Sequence, residues 1–283
     1  MFNKRVTGLL VAAATVVLGF VALPASAAGD PSFILASTTS TQNSGLFEYL
    51  LPKFTHDTGI DVHVVAVGTG AALDMGKRCD ADGLLVHAKP AELKYVAAGY
   101  GVDRHDVMYN DFVIVGPASD PARVAGSKDV TKALARIYHD KAIFLSRGDD
   151  SGTNKKELNL WKQANLDPSS ASGQWYRETG SGMGPTLNSA RGMDGYTLTD
   201  RATWISFKNK GDLKILVQGD PRLFNQYGVM MVSPKRCPRA KVDLARKFAD
   251  WLLSPHGQEI IASYRLGGKQ LFHPNAQQPN AKQ

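Results

Sequence analysis

Residues 145–157 read LSRGDDSGTNKKE, placing one arginine, two aspartates and two hydroxyls where an apolar run gives way to a charged helical pattern. Arg147 offers a planar, permanently charged fork that suits an oxyanion. Ser151, Gly152 and Thr153 open a helix whose free N–H groups and positive dipole end attract an anion. A simpler account of the same residues makes Ser151 an N-cap and pairs Arg147 with Asp149 or Asp150. Two further loops share the composition. Ser37, Thr38, Thr39, Ser40 and Thr41 follow the run FILA (33–36), and Gly68, Thr69 and Gly70 follow VHVVAV (62–67). Each loop enters a helix with hydroxyl donors and amides, and the second and third add glycines that permit close backbone approach. Three such loops at equivalent positions form a cradle for a small tetrahedral oxyanion.

The placement of acids bears on which anion. A protonated oxyanion such as hydrogen phosphate presents a donor as well as acceptors, so its site needs an acceptor carboxylate. The first two loops contain no acid. Asp149 and Asp150 lie in the third, where Asp150 can equally hold Arg147 in place. A fully deprotonated dianion therefore fits better than phosphate, with Asp82, just before a strand, as the acid that would serve phosphate. The stretch TGSGMGPTLNSARGM (179–193) either adds amides from the glycines around Met183 or is a loop capped into a helix. Tyr196 reads as a packing aromatic and Asp200 as a helix cap.

The elements that must position these loops follow from the apolar pattern. FILA precedes a helix carrying Leu46, Phe47, Leu50, Leu51 and Phe54; VHVVAV precedes 71–78; GLLVHA (83–88) precedes 91–98. DFVIVGP (111–117) is a longer β-rich run, AIFLS (142–146), GYTLT (195–199) and LKILVQ (213–218) alternate with helical stretches, and GVMMVSP (228–234) reads as a partner for DFVIVGP. Such alternation predicts βαβ units and mostly parallel sheets. The simplest architecture has two α/β lobes, one from 28–111 and 225–283, the other from 112–224, with the two crossings as a hinge closing on a ligand. In open α/β sheets ligands sit at the carboxyl ends of the strands, where these loops lie.

The first 27 residues have a basic start at Lys4 and Arg5, an apolar run from Val6 to Leu23 and the small-residue triplet Ala25-Ser26-Ala27. That is the pattern of a secretory leader cut near Ala27, with an uncleaved anchor as the rival. Export would allow Cys79 and Cys237, the two cysteines of the chain, to form one disulfide; two separate buried thiols are the alternative. Removing Lys4 and Arg5 with the leader lowers the formal charge from +7 to +5, spread without Lys/Arg blocks, which disfavours nucleic acid and mildly favours meeting an anion.

The stretches LASTTSTQNSGL (35–46), GTGAAL (68–73), DADGLLVHAKPAE (80–92), YGVDRHDVMYNDFVIVGP (100–117), SRGDDSGTNKKE (146–157), YTLTDR (196–201) and FADWLLSPHGQ (248–258) together resemble the substrate-binding components of tungstate ABC transporters. The family's Thr-Thr-Thr-Ser signature falls on Ser37, Thr38, Thr39 and Ser40, so the first position departs from it but keeps a hydroxyl. The resemblance implies a type II periplasmic binding protein fold, two lobes each built on a mostly parallel sheet flanked by helices, working as a monomer in the periplasm. It implies oxyanion contacts from Ser37, Thr38, Thr39, Ser40, Thr69, Arg147, Ser151, Gly152 and Thr153, with Arg147 the dominant charge. It also implies a membrane permease and an ATPase as partners, tungstate as cargo and no cofactor; molybdate, sulfate or phosphate are the alternative ligands. An enzyme is the rival class, but Ser151 lies three residues after Gly148 rather than two, so no G-x-S-x-G is formed, and Asn154 stands where a serine–lysine enzyme needs lysine. The seven histidines are scattered without H-E-x-x-H, and no G-x-x-x-x-G-K-[ST] occurs. The tripeptide Arg147-Gly148-Asp149 is too short to argue adhesion.

Overall fold

The computed structural model describes Met1 and residues 31–276; the expected leader's apolar run and its cut near Ala27 lie outside the described residues. The alternation of strands and helices is as the apolar runs predict. β1 (Ser32–Thr38) leads into α1 (Thr39–Asn43) and α2 (Leu46–Thr58), β2 (Asp61–Val67) into α3 (Thr69–Lys77), and β3 (Gly83–Val86) into α4 (Lys89–Ala97). A 16-residue strand, β4 (Gly101–Gly116), follows. Next come α5 (Val130–His139), β5 (Phe144–Ser146), α6 (Gly152–Gln163), β6 (Tyr176–Glu178), α7 (Met183–Gly192), β7 (Tyr196–Asp200), α8 (Arg201–Ser206) and β8 (Lys214–Val217). β9 (Phe224–Val232), α9 (Val242–Leu253) and α10 (Pro255–Ser263) complete the framework. α2 shows how local sequence sets an element. Leu46, Phe47, Leu50 and Phe54 recur on one face and are buried, and Gly59, in the left-handed region at φ 68°, ends the helix by donating its N–H to Thr55 O. Phe54 meets Phe248 of α9 edge to face at 5.0 Å. Each such fully buried ring contributes roughly 2 kcal/mol or more.

The main sheet runs β2-β1-β3-β9-β4-β7-β5-β6. Pairings are parallel at both flanks, in β2-β1-β3 and in β7-β5-β6, and every antiparallel pairing in this sheet involves β4 or β9. β4 begins ten residues before the run DFVIVGP. Charged residues at 103, 104 and 106 break the apolar signal there, yet the stretch is a strand because its backbone pairs with β9. The expected partnership of GVMMVSP with DFVIVGP is corrected. Met231 faces Val102 and Gly228 faces Asp106, whereas Phe112 faces Asp200 and Val113 faces Thr199 of β7. β4 thus changes partners between Asp111, which faces Phe224, and Phe112.

The buried apolar residues fall into three clusters. One draws its buried members from 33–108 and 227–272 together with Ala202; the other two draw theirs from 112–223. Cys79 and Cys237 are joined, with Cα atoms 5.4 Å apart and 158 residues between them in sequence. Asp82, the acid kept for phosphate, is structural. Its Oδ2 accepts from Ile34 N and its Oδ1 from Lys241 N, both at 2.7 Å, at the amino ends of the strands. Tyr196 packs as read: it is fully buried, and its hydroxyl donates to Asp120 and accepts from Ala122 N. Among the described residues no helix is long and apolar enough to cross a membrane.

Candidate anion-binding site

The functional loops follow the carboxyl ends of two parallel sets of strands, β1-β2-β3 and β5-β7, which run in opposite directions across the sheet. β1 ends at Thr38, which caps α1 by accepting from Thr41 N at 3.2 Å. β2 ends one residue before Gly68, and Thr69 opens α3. β5 ends at Ser146, immediately before Arg147, and Ser151 caps α6 by accepting from Asn154 N at 3.1 Å. The N-cap and the anion-site accounts of Ser151 are therefore compatible, since the cap fixes where the helix amides point. β3 delivers His87 and β7 delivers Asp200, neither of which the sequence reading placed at the site.

Arg147 is the junction. Its side chain is 2% exposed, its Nη1 donates to Ser40 Oγ at 3.1 Å and its Nη2 to Thr39 Oγ1 at 3.5 Å. Its Nε and Nη2 both donate to Asp149 Oδ2. The expectation that Asp150 could hold Arg147 is corrected. Asp150 adopts φ 55°, pairs with Lys155 and lies over α3, where a Cβ on Gly70 would come within 2.0 Å of its Oδ2. Gly152 makes the second close approach. A Cβ there would meet His87 Cε1 at 2.8 Å and Thr69 Oγ1 at 2.9 Å, so only glycine lets α6 abut both.

His87 organises the first loop from beneath. Its Nδ1 faces Asn225 Oδ1 at 3.2 Å, and Asn225 Nδ2 in turn donates to Asn110 Oδ1 at 2.6 Å. Burial pushes His87 down to about 4, with the Asn225 hydrogen bond opposing and the nearby Arg147 charge reinforcing the shift, so the ring is neutral near pH 7. A neutral ring donating from Nδ1 must accept at Nε2, and the group 3.0 Å away is the Thr38 hydroxyl. Thr41, whose hydroxyl is 2.8 Å from Thr38 Oγ1, then donates to it. Ser37 donates to Leu85 O at 2.6 Å.

These commitments divide the expected contacts. Ser37 and Thr38 use their hydroxyl protons inside the protein, and Ser151 Oγ is engaged as a cap. Thr39 and Ser40 accept from Arg147 and keep their own O–H free to donate. Thr69 Oγ1 and Thr153 Oγ1 are buried without a protein partner, as are Asn110 Nδ2, Tyr227 OH and Asp200 Oδ2. Tyr227 stacks on His87 at 4.8 Å. An unpartnered buried polar group costs about 1–3 kcal/mol, so an atom such as Thr69 Oγ1, buried beside Gly152, is one that a polar guest would satisfy, whereas Tyr227 and Asn110 lie near enough to serve each other. In the stretch 179–193, Gly182 precedes α7 as its N-cap, and the Thr179 hydroxyl donates to Arg147 O at 3.4 Å.

The site adjoins a cleft of about 600 Å³ whose wall includes His87, Phe112, Gly152 and Asn225. Lys89, Lys94, Lys155 and Lys156 stand along it, a positive rim that favours anion encounter. Burial lowers Lys156, which donates to Phe224 O at 2.8 Å. Among the described residues no three His, Cys, Asp or Glu side chains are grouped to hold a metal ion. The chemistry available is that of hydrogen-bond donation to an anion beside a cleft with a positive rim.

Residues 25–256 match the model of a PBP superfamily domain. The chain is 50% identical over 249 residues to the tungstate-binding protein TupA of Peptoclostridium acidaminophilum, covering 87% of this chain and 86% of that protein. The solved structure of a TupA tungstate-binding protein from Desulfovibrio alaskensis G20 superposes with a TM-score of 0.76 at 51% identity, covering 87% of this chain and all of that one. A tungstate ABC transporter structure from Geobacter sulfurreducens gives 0.75 at 51% identity over 82% of this chain and 98% of that one. With its two-lobed type II fold and its strand-end site, the chain belongs to the PBP superfamily and, within it, to the family of the TupA tungstate-binding proteins.

Proposed function

We propose that this protein is the periplasmic binding component of an ABC importer and that it captures tungstate as a dianion between its two lobes. The observation that carries the reading is the donor set: the Thr39 and Ser40 hydroxyls meet Arg147, the Thr69 and Thr153 hydroxyls are buried without a protein partner at the openings of α3 and α6, and Thr69 lies against Gly152. A ligand that is all acceptor matches donors of this kind, and its charge is met by fixed dipoles without a bulky counter-ion.

In this proposal 28–111 with 225–283 forms one lobe and 112–224 the other, and the hinge lies where β4 changes partners. The partition of the apolar clusters at the same boundaries supports it, with Ala202 as the one buried residue that crosses. The leader is cut near Ala27, and a permease and an ATPase receive the closed, loaded form. Calorimetric titration of residues 28–283 with tungstate, molybdate, sulfate and phosphate tests the reading. One-to-one tungstate binding with sulfate and phosphate silent supports it, and the molybdate arm measures selectivity between two dianions of nearly equal size. Heat from phosphate alone, or from no anion, overturns it.

A further inference from the structure

Every unpartnered buried atom at the site can donate a hydrogen bond except one. Asp200 is fully buried at the end of β7, opposite Phe112 on β4. Its Oδ1 caps α8 by accepting from Thr203 N at 2.8 Å, while its Oδ2 has no partner. Thr203 also donates to Ser40 O at 3.5 Å, which ties this corner to the loop that meets Arg147. Capping alone does not call for a second oxygen, since serine, threonine or asparagine would cap as well. The ionisable groups facing Asp200 are Arg147 from the β5–α6 loop and the Tyr227 phenol from β9. The guanidinium is already matched by Asp149, so an ionised Asp200 beside an incoming dianion would be a third negative charge in a chamber with no cation left to meet it.

We propose that Asp200 takes up a proton from solution as the dianion enters and donates it as a hydrogen bond to a ligand oxygen, so that capture is proton-coupled. This rests on the oxyanion reading of the site and deepens it. Protonation turns the one acceptor of the set into a donor and leaves Oδ1 free to continue capping α8. Burial raises Asp200 above its ordinary carboxylate value, with the Thr203 hydrogen bonds and the Arg147 charge opposing. A neutral acid here would also discriminate: an oxyanion that keeps its own proton would set O–H against O–H.

The test is calorimetric titration of tungstate into residues 28–283 across about pH 5 to pH 9, in paired buffers of different ionisation heat. Uptake approaching one proton per anion is expected, with affinity falling about tenfold per pH unit over the range where it occurs. Asp200→Asn keeps the cap and a permanent donor, so it should bind tightly with no proton uptake and a flat pH profile. Glu157→Gln, which changes the other buried acid near the third loop, should retain the uptake. Absence of uptake in the wild type, uptake persisting in Asp200→Asn, or loss of binding in a folded Asp200→Asn variant each overturns the proposal. Tight tungstate binding without proton uptake defeats this inference alone; no binding at all defeats the oxyanion reading itself.

Discussion

Two buried polar groups flank the third loop and are built on opposite rules. On α6, Glu157 is 2% exposed and fully served from inside: Ser146 donates to Oε2, and Trp161 Nε1 and the Tyr176 hydroxyl donate to Oε1 at 2.9 and 2.8 Å. Above it, Thr69, Thr153, Asn110, Tyr227 and Asp200 present atoms that the protein does not serve. A closed network holds a helix where it must be; an open one waits for a partner from outside. The difference teaches how to tell a structural knot from a binding site when both are polar and buried.

The largest effect that would sharpen this contrast is on the open side. Arg147→Ala removes charge-assisted donors and their geometry together, and should weaken tungstate binding on the order of a thousandfold by calorimetry. A variant binding near wild-type strength would break the contrast. On the closed side, burial holds Glu157 at about 7 against an ordinary 4.5, with hydrogen bonds from Ser146, Tyr176 and Trp161 opposing. The folded state thus binds that proton more tightly than the unfolded chain, so the associated stability is full below pH 4.5 and is lost as pH rises through about 7. Between about pH 4 and about pH 8 the stability advantage of wild type over Glu157→Gln should shrink by about 3 kcal/mol in urea unfolding. An unchanged difference would show that Glu157 titrates ordinarily.

A smaller effect separates the two regions most cleanly. Thr69→Val with Thr153→Val exchanges two unserved hydroxyls for methyls of the same shape. Affinity should fall roughly tenfold to a hundredfold while the ligand-free melting temperature holds or rises, because no internal bond is lost. A clear drop in melting temperature would place these hydroxyls in the structural class. The smallest effect belongs to Asp150→Ala, which removes an exposed pairing with Lys155 worth at most about 1 kcal/mol and should change affinity no more than a few-fold.

Much of this was legible because local chemistry decided it. The runs at 33–36 and 62–67 are strands, as is the end of 142–146 from Phe144, the hydroxyl and glycine loops follow them, and Ser151 caps its helix. The same rule about strand ends pointed equally to the loops after β3 and β7. His87 was passed over because a lone histidine carries no pattern, and Asp200 because the cap reading satisfied only one of its two oxygens. The choice between Asp149 and Asp150 turned on one left-handed residue, which no composition rule selects. The first half of β4 was hidden because charged residues at 103, 104 and 106 interrupt the apolar signal, and its register against β9 shifts between Val102 and His105 and again between Asp106 and Met108.

The Cys79–Cys237 bridge closes residues 80–236 into a covalent circuit. Every part of the chain from β3 to β9 lies on that circuit. A single cut anywhere along it, as by a protease at the exposed turn around residues 118–127, would leave both fragments on one molecule. Separation would require reduction as well as cleavage, so under oxidising conditions the vulnerable event is a second break, not the first.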